Sequence, residues 1–344
     1  MLRPGSSVVL VLLCFVHAAS VYCETIPWQD RRCRNLLVRR EWRTLEDYEK
    51  HHYLKAVQCL QSLPAHNPAI KAARTRFDEF QAHHITVADE VHNVGQFLPF
   101  HRQFVKSYEL ALRNECGYRG AQPYWDWTLD THSPEAYLHS PIWDARSGFG
   151  GNGLAGTYQL PPDALDPHLP ANINPYLGCV QDGPFTNHTL SLGPRHLITD
   201  HCLTRGFDAS SAVKYITTAA RQNAFIQPTF ELFRIELEGG SQTRDRRMHD
   251  GGHISVGGEM SDFYSSPGDP IFYLHHANLD HIWWKWQNVD RENRLYQISG
   301  RSTTSAPFVN VTLDYTLQMG SVGKSVQIRE VMDIHTEENC YTYA

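Results

Sequence analysis

The chain reads as a mainly α fold with long irregular loops and a few short strands. Three features predict this. Apolar residues recur at helical spacing over several stretches, residues 148–194 are rich in Gly, Pro and Asn with no period, and strict alternation begins only after Gly300. The 344 residues carry ample apolar material for one large core. No repeat, low-complexity tract or linker divides them, so residues 24–344 are expected to form a single domain.

The chain opens MLRPGSSVVLVLLCFVHAAS, with a single Arg3, an apolar run from Val8 to Val16 and then small residues. This is the pattern of a secretory signal peptide over residues 1–20, the run being too short to span a bilayer. Cleavage after Ser20 or after Cys23 satisfies the small-residue rule equally. From Arg39 to Leu63, helical spacing offers Trp42, Leu45, Tyr48, Leu54, Val57 and Leu60 to a core before Pro64 and Pro68 end the pattern. A helix near Ala72 to Ile85 sets Phe77, Phe80 and His84 on one face and Arg76, Glu79 and His83 on a polar one. Pro99 suits the first turn of the next helix, which runs to about Glu115. His101, Phe104, Val105, Tyr108 and Leu112 face its core side; Arg102, Lys106, Glu109 and Arg113 are expected on its wet side. Helix resumes from about Ala212 to Glu238 with a break near Pro228. A last helix follows Asp269 and Pro270, a cap and a first-turn residue. FVNVTLDYTLQM and SVQIREVMDI then read as short closing strands.

Loss of the leader removes Arg3 and no acid, leaving 30 basic against 37 acidic residues. Nucleic acid is therefore not an expected partner, nor is a membrane once the leader is gone. Of eight cysteines, Cys14 lies in the leader and Cys23 at its edge. Cys33, Cys59, Cys116, Cys179, Cys202 and Cys340 remain, so three disulfides are expected, with pairing undetermined. Sequons at Asn187 and Asn310 agree with secretion.

The histidines carry the chemistry. Five fall between Met248 and Gln287. His249 and His253 are four apart, one turn above the other on a helix face. Gly251 and Gly252 stand between them, each costing about 1 kcal/mol relative to Ala, which implies close packing there. His276 shares the apolar face of the last helix with Phe272, Leu279, Trp283 and Trp286, while His275 is rotated by about 100°; periodicity selects His276. His84 and His101 face inward from two helices that flank a loop carrying His92. All-imidazole sets suit copper, zinc, iron or nickel and argue against calcium, magnesium and iron–sulfur.

HITVADEVHNVGQFLPFHR, MHDGGHISVGG and SPGDPIFYLHHANLD together resemble the type 3 copper proteins: tyrosinases, catechol oxidases and their relatives. PYWDW and MDIHTEENCYTY are similar to the short secreted fungal members, so the resemblance covers nearly the whole mature chain. It implies a four-helix bundle core holding a dinuclear copper site, with His84, His92 and His101 on one copper and His249, His253 and His276 on the other. Two one-electron metals match the two-electron reduction of the co-substrate, dioxygen. The implied substrate is a small phenol: o-diphenols, or o-aminophenols, become o-quinone-type products in pigment or secondary-metabolite biosynthesis, and some relatives also hydroxylate monophenols.

The chain departs from that pattern in places. Glu90 stands where many fungal relatives have a Cys joined by a thioether to the second ligand, so His92 is expected unmodified. Asp250 replaces a common Asn after the fourth ligand; with Glu236, or Glu238, upstream, it is a candidate base or orienting group. His281 stands where relatives mostly have Arg and is expected at the surface or behind a ligand. Phe263 and Tyr264 could narrow the entrance. The chain stops soon after Cys340, so the covering extension of longer relatives is not expected. Reversible dioxygen carriage, as in haemocyanins, is the alternative function. A zinc hydrolase fits less well: HDGGH lacks the Glu of H-E-x-x-H, and the first three histidines would go unexplained.

Overall fold

The computed structural model describes residues 32–164, 176–239, 243 and 245–344, together with the backbone of residues 11–17 and 20–26, where Val11–His17 pairs antiparallel with Ser20–Ile26. The expected leader otherwise lies outside the described residues. Helices dominate: α1 (Asp47–Leu60), α2 (Arg76–Val91), α3 (Phe97–Cys116), α4 (Pro134–Leu138), α5 (Ala209–Tyr215), α6 (Thr218–Phe225), α7 (Phe230–Glu238), α8 (Met248–Val256) and α9 (Ile271–Val289). Strands are short. Thr316–Leu317 pairs with Val326–Gln327, and the C-terminal Tyr341–Tyr343 runs parallel to Leu37–Arg39.

Local chemistry sets the boundaries. The helix expected from Arg39 begins at Asp47, after a 3-10 turn at Trp42–Thr44, because Glu46 and Glu49 close a capping box there. Tyr48 consequently faces solvent at 74 % exposure instead of joining the core. Thr75 and Asp78 form a second capping box, which starts α2 at Arg76, later than expected, and the helix continues to Val91. The stretch from Ala212 to Glu238 is cut twice, because Thr217 and Thr229 each cap a new helix.

The expected wet faces are largely buried. Arg76, Glu79 and His83 on α2, and Arg102 and Glu109 on α3, all lie inside. In a chain this size a helix can be enclosed on every side, and its charges must then pair. Arg39 bonds Glu109 and Asp280, Arg102 bonds the other oxygen of Asp280, and the Tyr341 and Tyr343 hydroxyls donate to Asp280 at 2.7 and 2.6 Å. Burial opposes ionisation of Asp280, but the two guanidiniums outweigh it and hold its carboxyl below the usual range. This network ties the paired strands Leu37–Arg39 and Tyr341–Tyr343 to α3 and α9. Beside it the Tyr108 and Tyr273 rings stack at 3.4 Å between centroids. Three disulfides, Cys33–Cys340, Cys59–Cys116 and Cys179–Cys202, brace the periphery, the last pinning the long loop region.

Candidate metal centre

The first histidine triple is built by α2, the turn after it and α3. His84 sits midway along α2, and His92 is the residue at which that helix ends in extended backbone. Asn93 then takes the left-handed region at φ 59°, a conformation Asn tolerates. Gly95 follows where a Cβ would lie 2.6 Å from the Ser299 carbonyl oxygen. That turn folds His92 back toward His101, one helical turn into α3. Ring centroids are 5.2 Å (His84–His92), 5.8 Å (His84–His101) and 5.1 Å (His92–His101) apart.

All three rings are oriented by backbone carbonyls. His84 Nδ1 donates to Tyr264 O at 2.7 Å, His92 Nδ1 to Ala88 O at 2.8 Å and His101 Nδ1 to Phe97 O at 2.9 Å. A carbonyl can only accept, so the proton lies on Nδ1 and the Nε2 lone pair is free. This is the support that metal-ligating histidines require.

The second triple comes from α8 and α9. His249 and His253 stand 4.6 Å apart between centroids, and His276 lies 5.3 and 5.4 Å from them. His253 Nδ1 donates to Met260 O at 2.6 Å, and its Nε2 lies 3.3 Å from His276 Nε2. The triples adjoin: His101 stacks on His276 at 4.2 Å and 13°, and His92 stacks on His249 at 5.7 Å. Nitrogens of His84, His92 and His101 fall within 4.8 Å of one another, as do those of His249, His253, His275 and His276.

His275 therefore enters the second cluster too. Because α9 is buried on nearly every side, burial does not separate His275 from His276. Tautomer does. The Trp127 indole N–H donates to His275 Nδ1 at 3.1 Å, which leaves the proton of a neutral ring on Nε2, where a metal would need a lone pair. Gly252 makes room for this ring, since a Cβ there would lie 2.2 Å from His275 Cε1. Gly251 meets Tyr215 of α5 instead, at 2.4 Å, so only one of the two glycines packs beside the histidines.

The donor set fits metal ions. Buried His84 Nε2, His101 Nε2 and His249 Nε2, and His275 Nε2 beside them, have no hydrogen-bond partner, a costly arrangement for a polar cluster that bound metal would relieve. Burial pushes His84 down to about 4, and burial with neighbouring imidazoles holds His92, His101, His253 and His276 well below the usual histidine range. Neutral rings are what metal binding needs.

Around the cluster, Asp250 Oδ1 lies 3.4 Å from His249 Nδ1. Glu236 is not at the site. It pairs with Arg247 at 3.0 Å, because its position on α7 faces outward. The buried acid here is Glu238, which bonds Arg234 and accepts from the backbone N–H of Asn93, next to His92. Burial pushes its carboxyl up, against the pull of Arg234 and His249. Phe263 is 43 % exposed with its ring 4.7 Å from His92, and the Tyr264 ring packs against His196 at 4.0 Å. His281, expected at the surface or behind a ligand, is buried between Tyr124 and Tyr343, again because α9 is enclosed. Sequence reasoning missed Trp127, although PYWDW was singled out, and it missed the carbonyls of Met260 and Tyr264, for which residue type carries no signal.

Paired histidine triples on a helical core define a copper oxidoreductase, and the common central domain of tyrosinase matches residues 74–289. The chain belongs to the tyrosinase family. It is 33 % identical over 353 residues to a tyrosinase-like protein of Diaporthe leptostromiformis, covering 97 % of this chain and 83 % of that one. It is 32 % identical over 359 residues to the N-acetyl-6-hydroxytryptophan oxidase of Emericella nidulans, covering 95 % and 97 %. A polyphenol oxidase structure from Thermothelomyces thermophila superposes with a TM-score of 0.80 at 33 % identity, covering 90 % of this chain and 89 % of that one. These relatives are named as tyrosinase-like proteins and oxidases, not as oxygen carriers.

Proposed function

We propose that His84, His92 and His101 hold one copper and His249, His253 and His276 a second, and that the enzyme oxidises o-diphenols or o-aminophenols to o-quinone-type products with dioxygen. The observation that carries this reading is the pair of adjoining imidazole triples with unpartnered buried nitrogens. When bound, the coppers supply two one-electron centres for the two-electron exchange between phenol and dioxygen. The protein's own groups do the rest. Backbone carbonyls orient His84, His92, His101 and His253. Phe263 offers its ring to an aromatic substrate beside His92, and enclosed helices keep water from the imidazoles. Asp250 beside His249 and the buried Glu238 beside Asn93 are the proposed acceptors of a phenolic proton, and the pair makes hydroxylation of monophenols testable.

The relative named for N-acetyl-6-hydroxytryptophan suggests a bulky hydroxylated aromatic as substrate. Secretion is supported by three disulfides and by the exposure of both sequon asparagines, Asn187 and Asn310. No described helix is long and apolar enough to cross a membrane. Copper-loaded protein assayed in parallel with a monophenol, a catechol, an o-aminophenol and a hydroxyindole, by oxygen uptake and product absorbance, tests the reading. Oxygen consumption with the catechol or o-aminophenol is expected. Dioxygen binding with no product from any of the four would refute the catalytic function.

A further inference from the structure

One short segment serves both histidine triples. Residues 258–269, between α8 and α9, supply the Tyr264 carbonyl to His84 and the Met260 carbonyl to His253, and set Phe263 beside His92. This arch has little regular structure, two brief 3-10 turns, and so needs anchors.

Its anchors are three acids, and the same disulfide-pinned region grips each of them. His201 Nε2 meets Glu259 Oε2 at 3.2 Å. The Tyr176 hydroxyl and the Arg195 N–H donate to Asp262 Oδ2 at 3.2 and 3.0 Å. Arg205 holds Asp269 with Nε at 2.8 Å and a second nitrogen at 3.0 Å. The remaining Glu259 oxygen accepts from Gln81 Nε2 of α2 at 3.1 Å, and Gln81 donates also to the Ser265 carbonyl at 3.0 Å. His201, Glu259 and Gln81 are all buried. Gly258 seats the arch directly on the loop: at φ +53°, a Cβ would lie 2.1 Å from Thr204 O. The Cys179–Cys202 disulfide closes the gripping region next to His201.

We propose that the loop around Cys179–Cys202 is a positioning clamp for both metal sites, acting through Glu259 and His201 on the arch whose carbonyls orient His84 and His253. The proposal rests on the ligand reading above. Buried hydrogen bonds of this kind, to both Glu259 oxygens, to Asp262 and to Asp269, hold the arch in one position. Loss of one member leaves the others unpaired and frees the arch to shift. The histidines would stay in place on their helices but lose fixed ring orientation, and outer supports of metal ligands are worth 10–100-fold in affinity.

The test uses the full chain loaded with copper alone. Wild type, Glu259→Gln, His201→Gln and the double variant Cys179→Ser/Cys202→Ser are compared with Asp333→Asn. This control breaks the ion pair between buried Asp333 and partly exposed Arg291, outside the clamp. Copper per chain, the fraction of copper visible by electron paramagnetic resonance and the melting temperature are measured for each. Wild type is expected to bind two spin-coupled, resonance-silent coppers. The clamp variants are expected to bind copper at least tenfold more weakly and to show a resonance-visible fraction, even where melting falls no further than in Asp333→Asn. Two silent coppers at wild-type affinity in all three clamp variants would overturn the clamp while leaving the ligand reading intact. Failure of wild type to bind two coppers would overturn the ligand reading itself, and the clamp with it. If Glu259→Gln does not fold, His201→Gln and the disulfide variant carry the same comparison.

Discussion

The two histidine triples are held in place by different means. In the first, all three rings donate Nδ1 to backbone carbonyls, and two of those carbonyls lie four residues back on the same stretch of chain. In the second, only His253 has such a partner; His276 Nδ1 has none, and His249 Nδ1 has only Asp250 nearby at 3.4 Å. The second triple instead depends on how α8 and α9 pack, with Gly252 admitting His275 and Trp127 fixing that ring. Local hydrogen bonds survive small shifts between elements, whereas packing does not, so the second site is the more fragile half.

Gly252→Ala should disturb the second triple most. Its Cβ collides with His275, so it should destabilise the fold by about 3 kcal/mol, as overpacking does, and abolish binding of the second copper. Gly251→Ala collides with Tyr215 instead and should lower the melting temperature comparably while keeping two coppers. Loss of copper in both variants would contradict the division of labour between the glycines. Next in size, His84→Ala should cost the first copper and activity. His83→Ala should keep both coppers, because the His83 ring turns away to the Gln318 carbonyl at 3.1 Å.

Trp127→Phe removes the indole N–H from His275 and should weaken the second copper about tenfold, leaving the first unchanged. Equal weakening of both would mean that the halves are not independent. The last effect concerns acid. Burial holds His281 on α9 down at about 3. Its folded-state value is thus below the unfolded one, so the folded chain takes up fewer protons in between. Stability is then full above pH about 6.5 and falls as the pH drops from there toward 3, by up to about 1.4 kcal/mol per pH unit. His281→Phe should flatten the fall in melting temperature between pH 7 and 5; an unchanged slope would place the acid sensitivity elsewhere.

The parts legible in the sequence were those set by spacing within one helix or by a motif spanning many residues. The positions of His249 and His253 on one face of α8, the inward turn of His84 and His101, and the helical class itself all followed from periodicity. Periodicity failed where a helix is enclosed on all sides: Arg102 and Glu109 read as wet but pair inside, and of the two places read for His281, at the surface or behind a ligand, burial excludes the surface. It also could not rank Glu236 against Glu238, two residues apart on α7, since which of them faces Asn93 depends on how the helix docks. Contacts made by carbonyls, such as those of Met260 and Tyr264, leave no trace in residue type.

Six histidines, three from each half, are proposed to hold two coppers. Copper analysis of wild type, His276→Ala and His275→Ala decides which α9 histidine belongs to that set, because both are buried and the Trp127 indole N–H occupies Nδ1 of His275 but not of His276. Two coppers per chain are expected in wild type, one in His276→Ala, and two, the second bound more weakly, in His275→Ala. One copper in His275→Ala with two retained in His276→Ala would contradict the assignment.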